Sequence, residues 1–436
     1  MKLNLKIKFI LTIIAFLIFQ ILLNITSLAA SADIKIGSPA CVLIESSTGK
    51  ILYEKNANEQ RYPASTTKIM TAILTVENCK LTDVATASHN AIYSVPPSYS
   101  HASIVEGEEL TIEQLLNVLL IPSANDAANI LAEHIAGSIE NFAQMMNNKA
   151  KEIGCTNTHF VTTNGVHDDN HYSSAYDLAL MGRYAMKYDA IRNIVKKTQC
   201  SLPKTNKYNK EDRVFNTSND LLRVNNIPGP DNYYYEYATG IKTGYTTEAG
   251  SCIIASAEKD GLEVIAVVLG AETTKEGYSI RYPDCKTLFN YAFDNFDTID
   301  VDGTAMTVPK GVTVNDLTTD TAERNGKILT RYYYSGQFVG YVAEAQPTET
   351  PAVEETAETA AESSETEAAE TVTDSLETSE NDSQAEVQTG QKSMSEQIQE
   401  IRTEGLSGMM KALLIAMGVM AVILIALLIA LYIKNG

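Results

Sequence analysis

Residues 238–271 carry the pattern that most limits the fold of this 436-residue chain. Three apolar stretches, 238–245, 251–258 and 262–271, are rich in β-branched residues and have strand length. Asp260-Gly261 joins the last two, a linker of the type that closes a tight hairpin. Hairpin-linked strands pair antiparallel, so an antiparallel sheet is predicted here. Residues 40–45 and 51–53 repeat the pattern around Ser46-Ser-Thr-Gly49, far upstream. Between the two groups, apolar residues recur at helical spacing over 111–120, 127–136, 139–153 and 173–188, and a closing helix is expected over 282–296. The reading is an α+β fold: the terminal strands pair into one antiparallel sheet flanked by helices, and an all-helical subdomain is inserted.

Both ends of the chain read differently from this middle. Lys2, Lys6 and Lys8 precede an apolar run and then Ala30-Ser-Ala32, the order of a secretory signal peptide over residues 1–32. Residues 33–296 are expected to form the main domain, and 297–342 a small β-rich module punctuated by Gly and Pro. The formal charge of −20 is concentrated beyond that module: residues 344–391 hold fourteen acidic residues and neither Lys nor Arg. Composition predicts a disordered acidic tether over 343–394. After a juxtamembrane segment, 395–411, residues 412–433 are apolar and uncharged, long enough at about 33 Å to cross a bilayer as a helix. The expected topology is an extracytoplasmic body held at the cell membrane by this C-terminal helix. No basic stripe exists to neutralise phosphates, so a nucleic-acid partner is not expected.

Six scattered cysteines form no CxxC pair, and in a domain of this size they read as unpaired thiols. His167-Asp-Asp-Asn-His171 lacks the Glu of a zinc-protease helix and reads as a loop, with His171 ordering it near a cleft. Neither a metal nor another cofactor is expected.

The candidate chemistry lies in Arg61-Tyr-Pro-Ala-Ser-Thr-Thr-Lys-Ile-Met70. Pro63 and the cap-type residues Ser65-Thr66-Thr67 predict a helix start, on which Ser65 and Lys68 would share a face. That pairing makes an activated nucleophile. Ser-x-x-Lys also occurs at Ser47/Lys50, Ser201/Lys204 and Ser256/Lys259, so the tetrad alone decides little. Two more elements do: Ser123-Ala-Asn125 on a turn between helices, and Lys242-Thr-Gly244 on a strand, where glycine permits close approach of a ligand.

In that order the three motifs resemble those of penicillin-binding proteins and serine β-lactamases. Tyr62-Pro-Ala-Ser-Thr-Thr-Lys68, Leu119-Leu-Ile-Pro-Ser-Ala-Asn-Asp-Ala-Ala128, Thr163-Asn-Gly-Val166, His171-Tyr-Ser-Ser-Ala-Tyr-Asp-Leu178, Gly240-Ile-Lys-Thr-Gly-Tyr-Thr246 and Leu269-Gly-Ala271 are similar to the low-molecular-weight D-alanyl-D-alanine carboxypeptidases. The resemblance covers about residues 35–296 and implies a β-lactamase/transpeptidase-like fold. It implies that Ser65 attacks the terminal D-Ala-D-Ala bond of a peptidoglycan stem peptide, with β-lactams as covalent inhibitors. Lys68 would be the base, Ser123 the proton relay and Asn125 the holder of Lys68. The amides of Ser65 and Tyr245 would form the oxyanion hole. Lys242, Thr243 and Gly244 would receive the substrate, and Arg281 would contact its carboxylate.

Two rivals remain in view. A class A β-lactamase would carry Glu-x-x-x-Asn after Ser-x-Asn, and no such pattern occurs between Asn125 and Lys242. A non-catalytic β-lactam or wall-binding module would suit the tether, but too few residues follow Ile433 for an output domain. Hydrolysis and transfer to an amine use the same motifs, and the sequence favours neither.

Overall fold

A computed structural model describes residues 34–224, 232–274, 278–324 and 327–343. The chain enters through a hairpin, β1 (Ala40–Glu45) and β2 (Ile51–Lys55). The Glu45 carboxylate closes its turn by accepting the amides of Ser47 and Thr48. A 3₁₀ turn, Ala64–Thr67, runs directly into α1 (Lys68–Asn78). There follow β3 (Val84–Thr86), α2 (His89–Tyr93), β4 (Glu109–Thr111), α3 (Ile112–Leu120), α4 (Asn125–Ala136), α5 (Ile139–Ile153), α6 (Ala175–Ala185) and α7 (Asp189–Val195). A small ribbon, β5 (Gln199–Leu202) with β6 (Arg213–Asn216), precedes the long strands β7 (Ala238–Thr246), β8 (Gly250–Lys259) and β9 (Leu262–Ala271), and then α8 (Arg281–Asn295).

The main sheet has the order β2-β1-β9-β8-β7, all antiparallel, so the first and last strands of the domain do pair, Ala40 opposite Leu269. Burial explains why these strands read as continuous apolar runs. Ile44, Ile265 and Val267 face the helical lobe, while Leu43, Val264 and Ala266 face α8. An antiparallel sheet covered on both sides loses the usual alternation of inside and outside. Asp260 and Gly261 take positive φ, 50° and 80°, as a two-residue hairpin turn demands.

Local chemistry sets most helix ends. Thr111 caps α3 in a reciprocal capping box with Gln114. Gly137 and Gly154, both left-handed, end α4 and α5. The start of α1 departs from expectation: Pro63 precedes the 3₁₀ turn without a side-chain cap, and the α-helix proper begins at Lys68. Thr66, expected to cap, instead hydrogen-bonds back to the Pro63 carbonyl at 2.6 Å. Eight consecutive residues of α1, Lys68 through Thr75, are buried, which makes it the central helix of the lobe.

Downstream, β10 (Phe296–Val301), β11 (Thr304–Pro309), β12 (Thr318–Arg324), β13 (Lys327–Tyr334) and β14 (Gln337–Ala343) form a two-stranded and a three-stranded sheet. Val301, Met306, Val308, Tyr332 and Val339 form their core. This is the small β-rich module, and β10 begins at the residue after α8 without a linker. All six cysteines are free. Among the described residues no helix is long and apolar enough to cross a membrane. The expected signal peptide, acidic tether and transmembrane segment lie outside the described residues.

Candidate active site

The 3₁₀ turn brings Ser65 and Lys68 together more directly than an α-helix would, because residues three apart eclipse in that geometry. Lys68 Nζ lies 2.8 Å from Ser65 Oγ, 2.9 Å from Asn125 Oδ1 and 2.7 Å from the Asn164 carbonyl. It has no solvent exposure. Burial, and then the charge of Lys242, push its amine well below the usual lysine range, while Asp126 acts in the opposite sense.

These two facts fit one chemistry. A neutral Lys68 donates to Asn125 and Asn164 and turns its lone pair to the Ser65 hydroxyl. On taking that proton it becomes an ammonium whose three donors meet three acceptors. The contacts thus offer one acceptor for each of the three donors of a protonated Lys68.

Asn125 is fixed from the other side, where its Nδ2 donates to the Ser100 carbonyl at 2.9 Å. Ser123 sits on the turn between α3 and α4 with φ of 71°, and among the described residues its buried Oγ meets no hydrogen-bond partner.

β7 is the edge strand of the sheet and packs against the Ser65 turn. A Cβ on Gly244 would stand 2.9 Å from the Ser65 amide nitrogen and 3.0 Å from the Pro63 carbonyl oxygen. Only glycine lets the strand come this near to the Ser65 turn. The Tyr245 side chain itself is 60% exposed. On the opposite flank, a Cβ on Gly165 would fall 1.9 Å from the Ala64 oxygen, so the 163–166 loop is wedged against the same turn.

Lys242 is buried, and its Nζ donates to the Thr243 carbonyl at 2.8 Å. Burial and then Arg281 bring its amine down to about 7. Arg281 reaches the strand: Nη1 donates to the carbonyls of Gly244 (2.9 Å) and Cys252 (3.3 Å), and Nη2 to the Tyr282 hydroxyl (2.9 Å). It does not pair with Asp284, whose carboxylate accepts the amides of Gly37 and Ser38.

Several contributors carried no motif. Asp126 accepts from Ala102 N and Ile104 N and modulates Lys68 from within the lobe. The Asn164 contact comes from a main-chain carbonyl. His171 Nδ1 accepts the amides of Val161 and Thr162, which leaves Nε2 to donate to Thr67 Oγ1 at 2.8 Å. Burial lowers this histidine to about 3, so it is a neutral brace of the loop. Among the described residues no group of three His, Cys, Asp or Glu could hold a metal.

The sequence profile described as D-alanyl-D-alanine carboxypeptidase matches residues 26–273. The chain belongs to that family. Over 265 residues it is 39% identical to the D-alanyl-D-alanine carboxypeptidase DacF of Bacillus subtilis, a match covering 59% of this chain and 63% of DacF. It is 32% identical to DacC of Escherichia coli over 294 residues, 64% of this chain and 68% of DacC. Against DacF, therefore, the family match spans a little under two thirds of the relative's length. The crystal structure of the Streptomyces K15 DD-transpeptidase is similar, with a TM-score of 0.53 and 31% identity over 60% of this chain and 98% of that one. Penicillin binding protein 6B of Escherichia coli gives a TM-score of 0.58 and 26% identity, covering 72% and 96%. In this carboxypeptidase-family chain the three motifs, far apart in sequence, converge on one turn.

Proposed function

We propose that this chain is a serine-type D-Ala-D-Ala carboxypeptidase that trims the terminal D-alanine from peptidoglycan stem pentapeptides and is acylated by β-lactams. The observation that carries the reading is the buried Lys68 amine at 2.8 Å from Ser65 Oγ. Ser65 Oγ attacks the carbonyl of the scissile bond as its proton passes to Lys68. The oxyanion develops against the amides of Ser65 and Tyr245, where each donor contributes about 3–4 kcal/mol to transition-state stabilisation. Ser123 relays a proton to the leaving nitrogen, D-alanine departs, and water then attacks the ester while Lys68 again takes a proton. Lys242 supplies positive charge beside the substrate carboxylate and Thr243 a hydroxyl, and Arg281, which also holds the strand at the Gly244 carbonyl, contacts the same carboxylate.

The test is release of D-alanine from a synthetic pentapeptide by the detergent-solubilised full chain, with Ser65→Ala as control. Release by wild type and none by the variant supports the reading; release undiminished in Ser65→Ala refutes it. Transfer to an amine is the second reading, favoured by the likeness to a DD-transpeptidase structure. Adding glycine as acceptor and weighing the products separates the two. The sequence further supports export by residues 1–32, a main domain over 33–296 and a module over 297–342. It likewise supports anchoring to the cell membrane through residues 412–433, with residues 343–394 as a spacer.

A further inference from the structure

The segment before β7 makes a contact with the site that none of the three motifs includes. Ser218 Oγ lies 2.6 Å from Thr243 Oγ1. The segment is pinned on both sides: Ser218 N donates to the Ile121 carbonyl at the end of α3, and Asn219 Nδ2 donates to the Gly240 carbonyl at the start of β7. The Tyr282 hydroxyl donates to the Ser218 carbonyl at 3.2 Å and accepts from Arg281 Nη2 at 2.9 Å. Arg281, Tyr282, Ser218 and Thr243 thus form one connected chain.

A pair of hydroxyls has two hydrogens. One lies between Ser218 and Thr243, whichever of them donates, and the other remains for a ligand. The surroundings specify the sign of that ligand. Lys242 directly precedes Thr243, Arg281 Nη1 donates to the carbonyl of Gly244 directly after it, and among the described residues neither cation makes an ion pair with a carboxylate. A spare donor between two cations with no acidic partner suits a small anion.

We propose that Ser218 is a specificity-determining residue: with Thr243 it forms a hydroxyl pair that recognises the free carboxylate of the acyl donor, and Tyr282 holds Ser218 in place. The inference rests on the acyl-transfer function proposed above. Without Ser218 the Thr243 hydroxyl loses its fixed rotamer, and acyl donors bearing a carboxylate lose the advantage they hold over neutral ones.

The experiment compares benzylpenicillin with its methyl ester, which differ only in that carboxylate. Acylation of the full chain is timed by intact-protein mass spectrometry in wild type, Ser218→Ala, Ser218→Thr and Tyr282→Phe, with thermal unfolding recorded for each. Ser218→Ala is expected to slow acylation by benzylpenicillin about tenfold and to leave the methyl ester within about twofold. Ser218→Thr restores the preference, and Tyr282→Phe, which keeps the ring packing, shows a smaller selective loss. Equal slowing of both compounds in Ser218→Ala means a structural role and overturns the proposal, as does no slowing of either. Should Ser218→Ala not fold, an unchanged preference in Tyr282→Phe overturns it. Absence of any adduct on wild-type Ser65 with either compound is a separate result, which removes the acyl-transfer reading and this inference with it.

Discussion

Replacing Gly244 by alanine tests the geometry of the site with a single methyl group. The backbone at Gly244 is extended and not left-handed, so the substitution adds no conformational strain of its own. Its effect is purely steric. The new carbon would stand 2.9 Å from Ser65 N, 3.0 Å from the Pro63 oxygen and 3.1 Å from Ala64 Cβ, where an ordinary contact begins near 3.4 Å. The tightest two of these neighbours are backbone atoms and have no rotamer with which to move aside. The strand and the Ser65 turn must therefore part by about half an ångström, the shortfall at Ser65 N. The gap opens between Gly244 and the Ser65 amide, one of the two donors proposed for the oxyanion hole. Losing one such donor costs about 10²–10³ in rate, and a 1 Å misplacement about 10². Gly244→Ala is expected to slow acylation by a fluorescent penicillin about 30- to 100-fold. The β7–β8 ladder is untouched, so the unfolding temperature should move by only a few degrees. Acylation within threefold of wild type in a normally folded variant would refute the argument that close approach of β7 builds the site.

Asp126→Asn removes the negative charge that holds the Lys68 amine up, so the acid limb of the acylation pH profile should move to lower pH. An unmoved limb with intact folding would separate Asp126 from Lys68. Lys242 titrates near 7 when folded, against the ordinary lysine value of 10.5. The unfolded chain therefore holds more protons between those values, and folding stability rises with pH across that window. Urea melts at pH 7 and 9.5 should show wild type gaining more than Lys242→Met, by at most about 3 kcal/mol; an equal gain refutes the assignment. Arg213 pairs with the fully buried Glu108 carboxylate, which also accepts from Thr205 Oγ1 at 2.8 Å. Arg213→Ala strands that charge and should cost about 3–5 kcal/mol in a denaturant titration. A loss below about 1 kcal/mol would mean that the pair is solvated.

The fold was legible where local chemistry and tertiary structure agree. The Asp260-Gly261 turn, the Thr111 cap and the run of 139–153 each carry a signal within a few residues, and the structure places strands and helices there. The entry to α1 was misread because Ser, Thr and Thr after proline look like a cap. Those side chains instead serve the turn and the loop behind it, through Thr66 to Pro63 and Thr67 to His171. Convergence of the three motifs could be anticipated from their order. The third acceptor on Lys68 could not, because a main-chain carbonyl from 96 residues away has no residue identity to read. Ser218 was hidden for a related reason, since its only link to Thr243 is a pairing across 25 residues in a loop without pattern.

The sheet order has a consequence for how the protein is made. β9, the last strand of this domain to leave the ribosome, takes the middle place between β1 and β8. A growing chain that stops short of Leu262 holds the β1–β2 and β7–β8 hairpins as two separate halves, each marginal in isolation, together with helices whose apolar faces await a wall. Assembly must therefore close around a keystone that arrives late, and products of synthesis that lack it leave the facing edges of β1 and β8 open.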